Sequence, residues 1–228
     1  MIYIQIHNFT NFQGLYIMLK INILLLAVLL LASCGEKADE LRNAAEVIRN
    51  APEAMEEMGK SIDESEKRLK ERKAKGDTTA LHFNELAKFL PESIPGFSGG
   101  EPKGQSTNLT GFSMSTVEQE FVSESNQNKL IKIVLMDYNE AYAMYAGVAY
   151  WATLGLSSET SDGFQKSFKY KYDNVAAMEE YSKSSKSAKV YFAIGYRFIL
   201  SLEENDADGT DNLKNIAEKI AIEELSKL

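Results

Sequence analysis

A short glycine-rich segment contains the sequence's nearest match to a catalytic motif. Residues 96–100, GFSGG, fit the G-x-S-x-G pattern around the nucleophile of α/β-hydrolases. That nucleophile needs a strand before the serine, a helix after it and a histidine later in the chain. Prolines lie on both sides of the motif, and His82, the only histidine after residue 33, precedes Ser98. We therefore predict that Ser98 is not a nucleophile, and we assign no catalytic residue.

Two other groups of acidic residues could carry chemistry. Residues 204–209, ENDADG, resemble the start of a calcium-binding loop, but Asn215 takes the twelfth position, where a bidentate carboxylate is needed. Asp137, at the end of a predicted strand, could act with Glu179 or Glu180 as the carboxylate pair of a hydrolase such as a glycosidase. We predict no metal site and no cofactor, and we keep the carboxylate-based hydrolase as an alternative function.

Cys34 is the single cysteine, and it follows an apolar run. Lys20, the apolar residues 21–32 and the small residues before Cys34 have the order of a secretory signal peptide, with translation expected to start at Met18. This run of 12 residues is shorter than the roughly 20 that a membrane-spanning helix needs. Residues 31–34, LASC, resemble the lipobox of bacterial lipoproteins. The resemblance implies cleavage after a signal peptide of residues 1–33 and lipid on the Cys34 thiol. An ordinary secretory signal with a coincidental cysteine is the alternative.

The residues after Cys34 bear on location in the bacterial envelope. Gly35 stands where many enteric lipoproteins retained at the inner membrane carry aspartate, so the resemblance implies anchoring to the outer membrane. Glu36, Asp39 and Glu40 resemble an export tag of surface lipoproteins, which leaves both the periplasmic side and the cell surface open. Taking the one charge of Lys20 from the net −8 leaves −9 for residues 34–228. Nucleic acid is therefore not an expected partner.

Residues 34–77 are predicted to form a lipidated, charged helical tether. Apolar or small residues recur from Leu41 to Leu69 at alternating steps of three and four, but alanine, methionine and serine occupy many of these positions. Pro52 suits a restart of the helix after a kink. An oligomerising coiled coil is the alternative to a solvated tether.

Residues 78–228 are predicted to form a globular α+β domain, with an antiparallel sheet of about five or six strands packed by helices. Glycine and proline predict an exposed loop over residues 94–111, and residues 190–202 suit either two strands turning near Gly195 or one long strand. The other predicted elements are a helix over residues 81–90, strands over 112–122 and 129–136, an aromatic helix over 140–154, a hairpin over 164–181 and a helix over 211–225. Segments such as LPESIPGF and YRFIL are similar to a family of uncharacterised bacterial lipoproteins, a similarity that implies no known activity.

Aromatic side chains give the remaining candidate site. Tyr142, Tyr145 and Trp151 on the aromatic helix could line a pocket for a small apolar or sugar ligand. Packing in the core is the other use of such residues. We predict a lipid-anchored envelope protein that binds or supports an unknown envelope protein without catalysis. A carrier or sensor of a small ligand is the alternative.

Overall fold

The computed structural model describes residue 56, residues 59–60 and 62–139, residues 145 and 155, and residues 157–228. The elements in chain order are helix α1 (62–74), helix α2 (Phe83–Leu86) with a 3-10 turn (Ala87–Phe89), strands β1 (Phe97–Gly99), β2 (Lys103–Leu109), β3 (Phe112–Ser123), β4 (Leu130–Asp137), β5 (Ser157–Thr160), β6 (Gly163–Lys169), β7 (Val175–Ser182), β8 (Ser187–Ile194) and β9 (Phe198–Glu204), and helices α3 (Asp211–Ala217) and α4 (Ile222–Leu225). Within this described part, no helix is long and apolar enough to cross a membrane.

The strands form one antiparallel sheet in the order β1-β3-β4-β9-β8-β7-β6-β5, with β2 beside β1 along the outer edge of β3. This confirms the antiparallel α+β prediction but corrects the number of strands, which is nine in the described residues instead of five or six. The expected loop over residues 94–111 contains β1 and β2. It is ordered because β3, with 12 residues, is long enough to pair with both. The exposed strand β5 was not predicted either, because its residues 157–160, SSET, do not alternate between apolar and polar.

One face of the sheet, the covered face, builds the main core. Its residues alternate along each strand, so Val117, Leu135, Leu200 and Phe192 lie side by side across β3, β4, β9 and β8. All four side chains are buried against the helices, which contribute Leu86, Leu213, Ile216 and Leu225 among others. Burying each such side chain stabilises the fold by roughly 1.5–3 kcal/mol, which explains why the short helices α2 to α4 stay in place.

The opposite face divides into an apolar part and a charged part. Tyr145, Tyr138, Ala193 and Ile199 form a second buried cluster at the end near the β8–β9 turn. At the other end, side chains of alternating charge cross the sheet in one row: Glu120, Lys132, Glu203, Lys189 and Glu180. Opposite charges that face each other across strands favour this register, and they keep this part of the face polar.

The β8–β9 connection resolves the two alternatives for residues 190–202. Gly195 and Tyr196 both have positive φ, +60° at each, as in the tight turns that suit a β-hairpin. Arg197 donates its backbone N–H to the Ile194 carbonyl at 3.1 Å. The segment is therefore two strands, and the turn places Arg197 directly before β9. The closing helix is likewise divided, into α3 and α4, although Leu213, Ile216 and Ile220 are buried as predicted.

Candidate binding surface and buried ion clusters

Arg197 is the centre of a buried ion cluster. Its Nε and Nη2 atoms donate to the two Asp137 carboxylate oxygens, each at 2.8 Å, and Nη1 donates to Asp77 Oδ2, also at 2.8 Å. The Arg197 side chain is 3% exposed and the Asp137 side chain 0%. Asp137 also accepts hydrogen bonds from the backbone N–H groups of Leu81 and Asn139. Because these partners occupy both Asp137 oxygens, the carboxylate has a structural role: it connects the segment at Leu81 and the β8–β9 turn to the end of β4.

Arg72 extends the cluster into helix α1. Its Nε donates to Asn139 Oδ1 at 3.1 Å, and the Asn139 amide donates to Asp77 Oδ1 at 2.9 Å. Burial and the nearby Arg197 charge lower the pKa of Arg72, although Asp77 and Asp137 oppose that shift. Burial also acts to lower the pKa of Arg197, but the hydrogen bonds and charges of Asp137 and Asp77 outweigh it, so the net shift is upward. Two arginines and two aspartates thus neutralise one another.

This cluster crosses the boundary predicted at residue 77. Arg72 and Asp77 belong to the predicted tether, whereas Asp137, Asn139 and Arg197 belong to the predicted domain. Two α1 side chains, those of Ser65 and Arg72, are buried, and both are polar. The boundary at residue 77 stays a prediction, but the described end of the tether contacts the domain through polar groups.

A second buried acidic group lies on β7. Glu179 ion-pairs with Lys166 at 3.4 Å and with Lys214 of α3 at 3.0 Å, and it accepts a hydrogen bond from the Thr210 hydroxyl. Burial acts to raise the pKa of Glu179, but the Thr210 and Lys214 hydrogen bonds and the two lysine charges outweigh it and lower the pKa. Glu179 therefore stays charged and fastens α3 to the sheet.

The two carboxylates of the alternative hydrolase do not meet. Across the sheet, Asp137 of β4 is in line with Phe198 of β9, Ile194 of β8 and Val175 of β7. Glu179 lies four residues further along β7. Three strand spacings and four residue steps separate the two groups by roughly 20 Å. Glycosidase carboxylates are about 5–10 Å apart. Glu180 lies on the opposite face of the sheet from Asp137.

Strand β2 has one edge that pairs with no other described strand. Two residues join β2 to β3, with Leu109 opposite Phe112, so the backbone groups of Leu109 and of every second residue before it point toward β3. The N–H and C=O groups of Gly104, Ser106 and Asn108 consequently point away from the sheet. Among the described residues, β2 pairs with β3 alone, and these outward groups have no backbone partner. They form a template for another strand.

Side chains hold this edge in position. The Ser106 hydroxyl accepts from the Phe83 backbone N–H at 2.9 Å and from the Ser115 hydroxyl at 2.8 Å. Phe83 lies so close to Gly104 that an added Cβ would be 2.6 Å from the Phe83 Cβ. The edge strand is therefore fastened on the covered face and presents its other side to solvent.

A groove of about 430 Å³ follows this solvent side of β2 and β3. Its lining residues, mostly polar, are Lys103, Gly104, Gln105, Thr107, Met114, Thr116 and Glu118. At the end of β2 next to the turn, the Leu109 side chain is 68% exposed. The edge and the groove together form what we call the β2 surface, which offers main-chain hydrogen bonds beside polar side chains and one exposed leucine.

The other residues singled out from the sequence have different surroundings. Ser98 lies on the exposed strand β1, and the next element is strand β2, whereas the hydrolase pattern requires a helix. Tyr145 is 4% exposed and packs in the second cluster with Tyr138, Ala193 and Ile199. Tyr142, Trp151 and the lipidation candidate Cys34 lie outside the described residues, so the ligand pocket and the lipidation stay predictions.

Residues 204–209 have structural contacts. Glu204 ion-pairs with Lys129 at 2.9 Å and accepts from the Asn212 amide, while Asp206 ion-pairs with Lys186 at 3.3 Å. Within the residues that the structure describes, no three His, Cys, Asp or Glu side chains are grouped so that they could hold a metal ion.

Comparison with protein families, curated proteins and solved structures finds no match to this chain. The sequence singles out Asp137 but does not indicate Arg197, which bonds to it, or Asp77 and Arg72, which complete the cluster. The β2 surface was also missed. One sequence feature points to β2, the two-residue turn Thr110-Gly111. Apolar and polar residues alternate clearly after this turn, in β3, but not before it, in β2.

Proposed function

We propose that this protein is a lipid-anchored component of the bacterial envelope that binds a protein partner through the β2 surface and does not act as a catalyst. The lipobox-like residues 31–34 support the anchor. The observation that carries the binding role is the row of outward-pointing backbone groups at Gly104, Ser106 and Asn108. An incoming strand adds main-chain hydrogen bonds at such an edge, and adjacent side-chain pockets select its sequence.

The composition of β2 supports a binding role over a passive edge. Natural edge strands are usually blunted by charges, proline, bulges or short length. Strand β2 has seven residues, pairs with β3 without a bulge and has one charge, Lys103, at its first position. Strand β5, at the opposite edge of the sheet, has only four residues and carries Glu159. In the part of the chain that the structure describes, one edge of the sheet is thus open along β2 and the opposite edge is short.

A small polar ligand is the second candidate, and the groove is the observation that favours it. Its volume of about 430 Å³ falls within the range of small-molecule sites. The amide, hydroxyl and charged groups of Gln105, Thr107, Thr116 and Glu118 suit the hydroxyl groups of a sugar. Isothermal titration with short oligosaccharides would separate this candidate from protein binding.

The anchor is tested by Cys34→Ala. We expect the wild-type protein in the membrane fraction with a diacylglycerol-modified terminal peptide beginning at Cys34, and the variant in the soluble periplasm or uncut. An unmodified native protein with another amino terminus would disprove the anchor.

The binding role is tested with a photocrosslinking amino acid at Leu109 in intact cells. Glu159, exposed on the other edge strand, is the matched control position. We expect a discrete protein adduct from position 109 only, and we expect Ser106→Pro to abolish it, because proline removes the central outward N–H group. Adducts that are equal from both positions, or that survive Ser106→Pro, would contradict binding at this edge.

A further inference from the structure

We propose that the partner at the β2 surface is a second copy of this chain, paired antiparallel through β2 about a twofold axis at Ser106. The inference deepens the proposed function and rests on it for the membrane anchor. Three features of β2 favour self-pairing: the positions of its free backbone groups, the side chains that would face each other, and the space around the edge.

The free backbone groups have the required symmetry. In an antiparallel pair, hydrogen-bonded residues exchange both N–H···O=C bonds. With the axis at Ser106, Ser106 faces Ser106 of the second copy, and Gly104 faces Asn108. These three residues are the ones whose groups point outward. Every outward group of β2 therefore meets a partner, and about six hydrogen bonds form between the copies.

The side chains on the groove side are compatible in the same register. Lys103 of one copy faces Leu109 of the other, so the lysine methylene groups can cover the exposed leucine. Gln105 faces Thr107, which pairs two polar side chains that can hydrogen-bond. No like charges face each other, because Lys103 is the one charged residue of β2.

As far as the described residues go, the edge also has room for two copies. Helix α2 lies over Gly104 on the covered face, where Phe83 contacts it. In the paired arrangement the two Gly104 residues would be about 14 Å apart, from strand spacing and rise. Packed helices need only 8–10 Å between their axes, so the two α2 helices do not collide. Pairing β2 with β5 would instead continue without closure, whereas the twofold arrangement stops at two copies.

The pair would be weak in dilute solution. Stable protein interfaces bury roughly 1,200–2,000 Å², more than two strands of seven residues can supply. Anchoring both copies in one membrane raises their effective concentration, which favours such contacts without adding new ones. The joined sheets would form one continuous sheet across the dimer.

The test changes the charges of the two residues that face each other. In Gln105→Lys/Thr107→Lys, each lysine faces a lysine of the other copy, so pairing should weaken by roughly tenfold. Gln105→Glu/Thr107→Glu should do the same, and an equimolar mixture of the two variants should restore pairing. Ser157→Lys/Ser158→Lys adds the same charge at β5 and should leave pairing unchanged.

In the assay, each protein is purified from membranes, returned to liposomes and crosslinked with an amine-reactive reagent. The result is compared with native mass spectra of the same protein in detergent. Circular dichroism checks the folding of each variant.

We expect dimers for wild type, for the β5 control and for the mixture, and a clearly smaller dimer fraction for each double variant alone. Monomeric wild type in liposomes, or a dimer fraction that both double variants leave unchanged, would overturn self-pairing. If wild type is monomeric while Leu109 still crosslinks to another envelope protein, self-pairing fails and the proposed function stands. If dimers form but the terminal peptide carries no lipid, the anchor fails and edge pairing stands.

Discussion

Removal of Arg197 from the buried ion cluster is expected to be the most destabilising single change. In Arg197→Met, the Asp137 carboxylate, whose side chain is 0% exposed, loses both of its charged hydrogen bonds. Exposed ion pairs contribute about 0–1 kcal/mol, but removing one partner of a buried pair costs about 3–5 kcal/mol. Domains unfold with a free energy of about 5–15 kcal/mol, so a loss of about 3–5 kcal/mol removes a substantial share of the stability.

The expected fall in Tm is about 6–20 °C, since a chain of this size loses roughly 2–4 °C per kcal/mol. Urea unfolding followed by circular dichroism gives the free energy directly. Lys189→Met, which breaks the exposed pair with Glu203, is the control and should cost at most about 1 kcal/mol. A double variant, Asp137→Asn/Arg197→Met, should lose less than the sum of the single losses, because the buried Asp137 charge is no longer left without its arginine. If Arg197→Met costs no more than Lys189→Met, the cluster does not stabilise the fold as argued.

Three further predictions concern other parts of the fold. Glu179→Gln should cost about 1–3 kcal/mol at neutral pH. Because the pKa of Glu179 is lowered in the folded state, its charged form stabilises the fold fully above the ordinary carboxyl pKa of 4.5. This stabilisation is lost as the pH falls through the folded-state pKa. The difference in Tm between wild type and Glu179→Gln should therefore shrink in acid. Gly163→Ala should lower Tm clearly in a thermal melt, because its Cβ would lie 1.9 Å from a backbone carbonyl oxygen, whereas Gly100→Ala, with 3.5 Å, should change it little. A chain beginning at Asp77 should still unfold cooperatively but with lower stability, since it loses the Arg72 hydrogen bond; loss of cooperativity in calorimetry would show that α1 belongs to the core.

The strands that pack in the core could be predicted from sequence because their apolar residues alternate. Residues 112–122 and 129–136 match β3 and β4 within a residue or two, and the hairpin over 164–181 matches β6 and β7. The turn at Gly195 stayed ambiguous because its neighbours are apolar on both sides and Tyr196 is an unusual residue for a positive φ.

The strands that were not predicted have no apolar alternation of their own and depend on pairing with a neighbouring strand. In β2, KGQSTNL offers glycine and polar residues, and its extended form is stabilised by backbone bonds to β3 and by the Phe83 and Ser115 contacts of Ser106. The ion cluster was missed for a related reason. Asp77, Asp137 and Arg197 are separated by 60 residues at each step, and no local pattern links them.

The pairing of β4 with β9 also sets when the protein can fold. It joins β1–β4 to β5–β9, and β9 is the last strand to leave the ribosome or an export channel that threads the chain from its amino terminus. Until β9 has emerged, the inner edge of β4 has no partner. Contacts so distant in sequence form slowly. Where the proposed lipidation of Cys34 takes place as the chain emerges in this direction, the lipid-bearing end is held at the membrane before the two halves of the sheet have joined.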